Sequence, residues 1–193
     1  RERLQEELAD DSAPGRAERR AHRELGLARG SAGEHEERDG SGDEEQEEDR
    51  QIVTTRVIDG PRELVFKAWT DPRHLARWFG PHGFTTTTRA FEFRPGGVWD
   101  FDMIGPDGTV YPNRIEWREI VPPERITFRQ GGHENDPDAF ESTVTFADRA
   151  GRTEITLRAL LNSKAQRDYL AEHYRAVEGA RETLERLEAY VHE

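Results

Sequence analysis

Trp69-Thr70-Asp71-Pro72, Trp78-Phe79-Gly80-Pro81, Arg94-Pro95-Gly96-Gly97-Val98-Trp99, Gly105-Pro106-Asp107-Gly108 and Glu119-Ile120-Val121-Pro122-Pro123-Glu124-Arg125 follow one another in this order, and their reading decides the fold. Each sets turn chemistry beside a large aromatic or apolar residue. Between the turns the pattern is that of strands. Trp99, Phe101 and Met103 alternate with Asp100 and Asp102, the period-two signature of a half-buried strand. Past the Gly105–Gly108 turn, Tyr111, Ile115 and Trp117 share one parity, opposite Arg114, Glu116 and Arg118.

Working outward, the β-branched run from Ile52 to Ile58 predicts an opening strand. Pro61 begins a short helix bearing Leu64, Val65, Phe66 and Trp69. Asp71-Pro72 is an N-cap followed by proline at the first helical position, and it starts a second short helix that Gly80-Pro81 stops. The threonines Thr85 to Thr88 favour an extended run to Arg94, and Ile126 and Phe128 follow on a further strand. Phe140 to Phe146 and Thr153 to Leu161 supply two more, joined through Asp148 to Gly151. Ser163 and Gln166 fit a capping box, after which Leu170, Tyr174, Val177, Leu184, Leu187 and Val191 make one apolar stripe. The spacing predicts a single helix over 164–192, roughly 40 Å long. A strand, two short helices, six antiparallel strands and a long helix form an α+β order.

Taken together, the five motifs resemble the START-like (SRPBCC) superfamily and, within it, the family named after the activator of heat-shock-protein-90 ATPase, over about residues 51 to 192. The resemblance implies a helix-grip (START/Bet v-like) fold, in which a curved antiparallel sheet wraps around the long C-terminal helix. It also implies a pocket between helix and sheet. The expected lining is Phe91, Trp99, Phe101, Met103, Tyr111, Ile115, Trp117 and Phe128 from strands, with Tyr174, Val177 and Leu184 from the helix. Trp78 and Phe79 would stand near its mouth, and His82 would offer a polar contact at the rim.

The chain has 193 residues, 33% hydrophobic and 35% charged. Its acidity is concentrated. Residues 1–50 carry 17 acidic and 9 basic side chains, a net of −8, against −4 for the rest. That segment, with Asp43-Glu44-Glu45-Gln46-Glu47-Glu48-Asp49 at its densest, cannot bury enough apolar surface to offset the entropy of ordering it. The expected division is an acidic disordered segment over 1–50 and one domain over 51–193. An acidic balance argues against nucleic-acid and membrane-surface partners. No apolar run reaches the roughly 20 residues that span a bilayer, and no secretory signal is present, so a cytoplasmic location is expected. The absence of cysteine excludes disulfides, thiolate zinc sites and cysteine nucleophiles.

Catalytic and metal-ligating patterns are weak, and no catalytic residue, metal or cofactor is assigned. His133, Glu134, Asp136 and Asp138 crowd one loop without a recognised ligand spacing. Glu172-His173 lacks the second histidine of a zincin motif. Asp100 and Asp102 share a strand face that points away from the aromatic parity. Arg114 and Glu116 point outward if the register holds, and enter the cavity as a polar anchor if it slips by one. The expected function is therefore a module binding a small hydrophobic or aromatic ligand. The resemblance raises two alternatives: a protein interaction that stimulates a chaperone ATPase, and a cyclase- or aromatase-like enzyme acting on a polyketide-like substrate. In the named relatives the chaperone activity also involves a separate N-terminal domain, which residues 1–50 do not resemble.

Overall fold

The computed structural model describes residues 47–193, so the reading of an acidic segment over 1–50 lies outside it except for the last four positions. The elements are β1 (Gln51–Ile58), α1 (Arg62–Lys67), α2 (Pro72–Trp78), β2 (Thr85–Phe91), β3 (Val98–Ile104), β4 (Val110–Val121), β5 (Arg125–Gly131), β6 (Phe140–Arg149), β7 (Arg152–Leu160), α3 (Lys164–His173) and α4 (Ala176–His192). The strands form one antiparallel sheet in the order β1-β7-β6-β5-β4-β3-β2. The two strands that flank α1 and α2 therefore sit at opposite edges. This is the helix-grip α+β architecture expected from the sequence.

Local chemistry explains the elements. The Asp71 carboxylate accepts the Arg73 backbone N–H at 2.7 Å, and Pro72 opens α2 where its missing N–H costs nothing. In the β3–β4 hairpin, Gly105 donates to the Thr109 carbonyl at 2.9 Å, while Asp107 accepts both the N–H and the hydroxyl of Thr109. The Arg94–Gly97 turn is pinned differently. Gly96 has a φ of 76°, which favours glycine, and a Cβ on Gly97 would stand 2.2 Å from the Glu92 carbonyl oxygen. Only a backbone without side chains folds this tightly against β4.

The C-terminal region departs from the expected single helix. Arg175 adopts a left-handed conformation, φ 51° and ψ 41°, and splits the stretch into α3 and α4. The 17-residue α4 spans about 25 Å. It buries Thr183, Leu184, Leu187, Tyr190 and Val191, whereas α3 buries none of its residues. The stripe read from Leu170 to Val191 is thus two stripes, and only the second packs against the core. Neither glycine nor proline marks the break. At the start of α3, Ser163 accepts the Gln166 N–H at 3.1 Å, and the Gln166 side chain reaches back to the N–H of Asn162 at 2.8 Å. That is one residue earlier than a standard capping box places it.

Candidate functional site

The inner face of the sheet carries one aromatic cluster. Trp99, Phe101, Ile115, Trp117, Phe128 and Leu184 are all fully or almost fully buried within it. Trp99 stacks on Phe101 with ring centres 3.9 Å apart, and Phe79 meets Trp99 edge to face at 4.8 Å. Trp117 meets Phe93 at 5.0 Å and Phe128 at 5.7 Å. These side chains fill one another's space as a core does. Phe79, Phe91, Phe93 and Met103 are half-buried and close the cluster from outside. Tyr111 is half-buried beside Phe84.

Several expected lining residues stand elsewhere. Trp78 is not at a mouth: it is fully buried, and its indole N–H donates to the Ala68 carbonyl at 3.1 Å. Tyr174 and Val177 do not face the sheet. They are 55% and 44% exposed, because the break at Arg175 turns their part of the chain away from the packed stripe of α4. His82 is exposed too. Its ring nitrogen Nε2 lies 3.2 Å from Glu185, and its backbone N–H donates to Glu182 at 3.1 Å, so it strings its loop to the outside of α4. This contact is the largest influence holding the Glu185 carboxyl below its ordinary pKa, with Arg181 and Arg56 adding to it. The same loop is clasped by Arg186, whose guanidinium donates to the carbonyls of Gly80, Pro81 and Phe84 at 2.9 to 3.1 Å. Burial pulls the Arg186 pKa down from its ordinary value.

The register of β4 holds. Arg114 and Glu116 point to the outer face, where Arg114 binds both oxygens of Asp100 at 2.9 and 2.7 Å. Asp102 pairs there with Arg89, and this contact raises the arginine's pKa. A cleft of about 10 Å³, room for about one water, opens beside Arg114, Arg129 and His133. In the loop below it, Asp136 spends its carboxylate on the N–H groups of Gly132 at 2.6 Å and Asp138 at 2.9 Å. These backbone donors, Gly132 foremost, hold its pKa low. Among the described residues, no group of three or more His, Asp and Glu side chains is placed to hold a metal ion.

Polar groups do enter the inner face, at positions the sequence reading passed over. Asn113 is 9% exposed and Ser142 3%. Asn113 donates to the Tyr111 carbonyl at 2.9 Å and accepts from half-buried Gln130 at 3.3 Å. The available signal was parity alone. Asn113 lies between Tyr111 and Ile115 on the inward set, Gln130 is two residues past Phe128, and Ser142 is two past Phe140.

The four tryptophans divide into two pairs. Trp78 is satisfied as above, and Trp99 donates to the Thr88 hydroxyl at 3.0 Å. Trp69 and Trp117 are as deeply buried, yet their indole Nε1 atoms reach no acceptor among the described residues. An unmade buried N–H costs about 1–3 kcal/mol.

Residues 59–192 match the family described as Activator of Hsp90 ATPase homolog 1-like protein, and the chain belongs to that family. Among solved structures it is similar to a protein from Arthrobacter aurescens, 28% identical with a TM-score of 0.69, covering 75% of this chain and 87% of that one. A protein from Chromobacterium violaceum is 24% identical, TM-score 0.66, over 75% of this chain and 98% of the other. Another, from Mycobacterium smegmatis, is 23% identical, TM-score 0.67, over 74% and 91%. The last two likenesses bear on the fold alone. No curated protein matches the chain. Among the described residues no helix is long and apolar enough to cross a membrane.

Proposed function

We propose that this domain is a binding module for a small, largely aromatic molecule held on the inner face of the sheet, beneath α2 and α4. The observation that carries the reading is the mixed chemistry of that face. Asn113, Gln130 and Ser142 sit among Phe101, Ile115 and Phe128, so a few polar side chains accompany aromatic ones, the lining chemistry of a small-molecule site. Ligand binding would be coupled to local opening, because the aromatic side chains already pack on one another. Native mass spectrometry of the full chain purified from its own cells tests the reading. A retained organic molecule of small mass supports it. A bare chain whose melting temperature is also unmoved by a panel of aromatic hydrocarbons, ketones and alcohols overturns it.

A second reading, contact with a chaperone ATPase, has one observation in its favour. Tyr169, Tyr174 and Val177 form an exposed patch at the α3–α4 junction, where Tyr169 stacks on His173 at 4.3 Å. Exposed tyrosines of this kind anchor protein interfaces. A pull-down with a chaperone ATPase, repeated with Tyr174→Ser, decides it: capture by the native chain and loss in the variant support the contact, and no capture removes it.

A further inference from the structure

We propose that the Trp117 indole N–H is the polar anchor of the ligand, so that the molecule is a planar aromatic bearing a hydrogen-bond-accepting oxygen such as a ketone. The inference rests on the binding-module reading above and names the ligand class for that site. Trp117 is fully buried, and its donor reaches no acceptor among the described residues. Its neighbours Phe91, Phe93 and Phe128 all meet it edge to face, at interplanar angles of 75° to 77°. A ligand oxygen would give this donor the acceptor that the described residues do not supply. The chain can satisfy an indole when one is purely structural, as the partners of Trp78 and Trp99 show.

Access distinguishes Trp117 from the other unpartnered indole. Two of the rings against it, Phe91 and Phe93, are half-buried and stacked on each other at 6.2 Å with planes 3° apart. Both belong to the end of β2, an edge strand, and to the short turn beyond it. A register shift already interrupts β2 between Thr88 and Ala90. Swinging this segment out leaves the interior strands of the sheet paired. On the floor behind it, Asn113 and Gln130 stand on the same inner face as Trp117, ready for a second polar group of the ligand.

The test compares 1-acetylnaphthalene with 1-ethylnaphthalene, probes of nearly equal size that differ in the acceptor, against the full chain labelled with nitrogen-15 at its indoles. The ketone is expected to bind about tenfold more tightly. The indole signal lost in Trp117→Phe should shift with the ketone and stay in place with the hydrocarbon. In Trp117→Phe the ratio of the two affinities should fall to near one, while Trp69→Phe keeps it. Equal affinities with an unmoved Trp117 signal, or a preference that survives Trp117→Phe, overturn the anchor and leave the binding module standing. Binding of neither probe counts against both. Should Trp117→Phe fail to fold, the spectra of Trp69→Phe, Trp78→Phe and Trp99→Phe assign three of the four indole signals and leave the fourth to Trp117, and the shift in the native chain decides the matter.

Discussion

Trp117 and Gly97 are joined through their backbones: the Trp117 N–H donates to the Gly97 carbonyl at 3.0 Å, while Gly96 donates back to the Trp117 carbonyl at 2.8 Å. The turn that carries Phe93 is thereby stitched to the residue that Phe93 covers. Gly97→Ala places a methyl 2.2 Å from the Glu92 carbonyl oxygen, where only a backbone shift relieves the clash. A loss of about 2 kcal/mol or more is expected, read as a lower urea midpoint with an unchanged slope. A midpoint equal to that of the native chain would show that the turn yields freely.

Among the described residues, Arg186 holds the Gly80–Phe84 loop through backbone carbonyls and without a carboxylate partner. Lysine keeps the charge but cannot fork. Arg186→Lys should therefore speed amide exchange within residues 80–84 and lower global stability by about 2 kcal/mol. Unchanged exchange in that loop would remove the clasp from the account.

His74 Nδ1 and the Tyr190 hydroxyl lie 2.8 Å apart, both residues buried, and they join α2 to α4. Tyr190→Phe keeps the ring under the Arg77 guanidinium and deletes only this hydroxyl. The expected cost is about 1–2 kcal/mol in thermal or urea unfolding. A neutral result would assign the attachment of α4 to its apolar stripe.

The Arg73 side chain, and after it the Arg73 backbone N–H, holds the Asp71 carboxyl below the ordinary carboxylate range against the opposing effect of burial. Because the folded group is the stronger acid, its contribution is complete above its unfolded pKa of about 4. It drains away as pH falls through the lower folded value. Asp71→Ala should cost about 1 kcal/mol at pH 7. The gap between variant and native chain should narrow below pH 4 and be smallest at pH 2. A gap that is constant with pH contradicts the capping role.

Tyr174→Ser and Val177→Ser are expected to change stability by no more than about 0.5 kcal/mol each, since both side chains are exposed. They should also leave the binding of aromatic probes unaltered. A large loss of either kind would put these residues back against the sheet.

How much of this was legible in the sequence varies with the physics involved. The Asp71 cap, the Gly105–Gly108 hairpin and the inward parity of Trp99, Phe101 and Trp117 depend on neighbours a few residues away, and a linear reading reaches them. The break at Arg175 does not depend on local propensity, and its left-handed backbone is set where no glycine or proline announces it. The same limit applies within the site. Parity places Asn113 inward, but only the fold reveals that Gln130 meets it from the neighbouring strand. Likewise, four tryptophans look alike in sequence. Which two find acceptors is decided by Ala68 and Thr88, contacts that tertiary packing alone supplies.

All four tryptophans of the chain lie within the buried cluster, at 0% to 1% exposure. The ultraviolet emission of this protein is consequently a signal from its interior, with no surface indole to dilute it. Trp99 and Trp117, their planes 7° apart at 6.5 Å, form a nearly parallel chromophore pair across β3 and β4. Their coupling should give the near-ultraviolet dichroism a sign and shape that any spreading of those strands erases. The molecule thus carries its own optical gauge, and the opening of its core can be followed without attaching a dye.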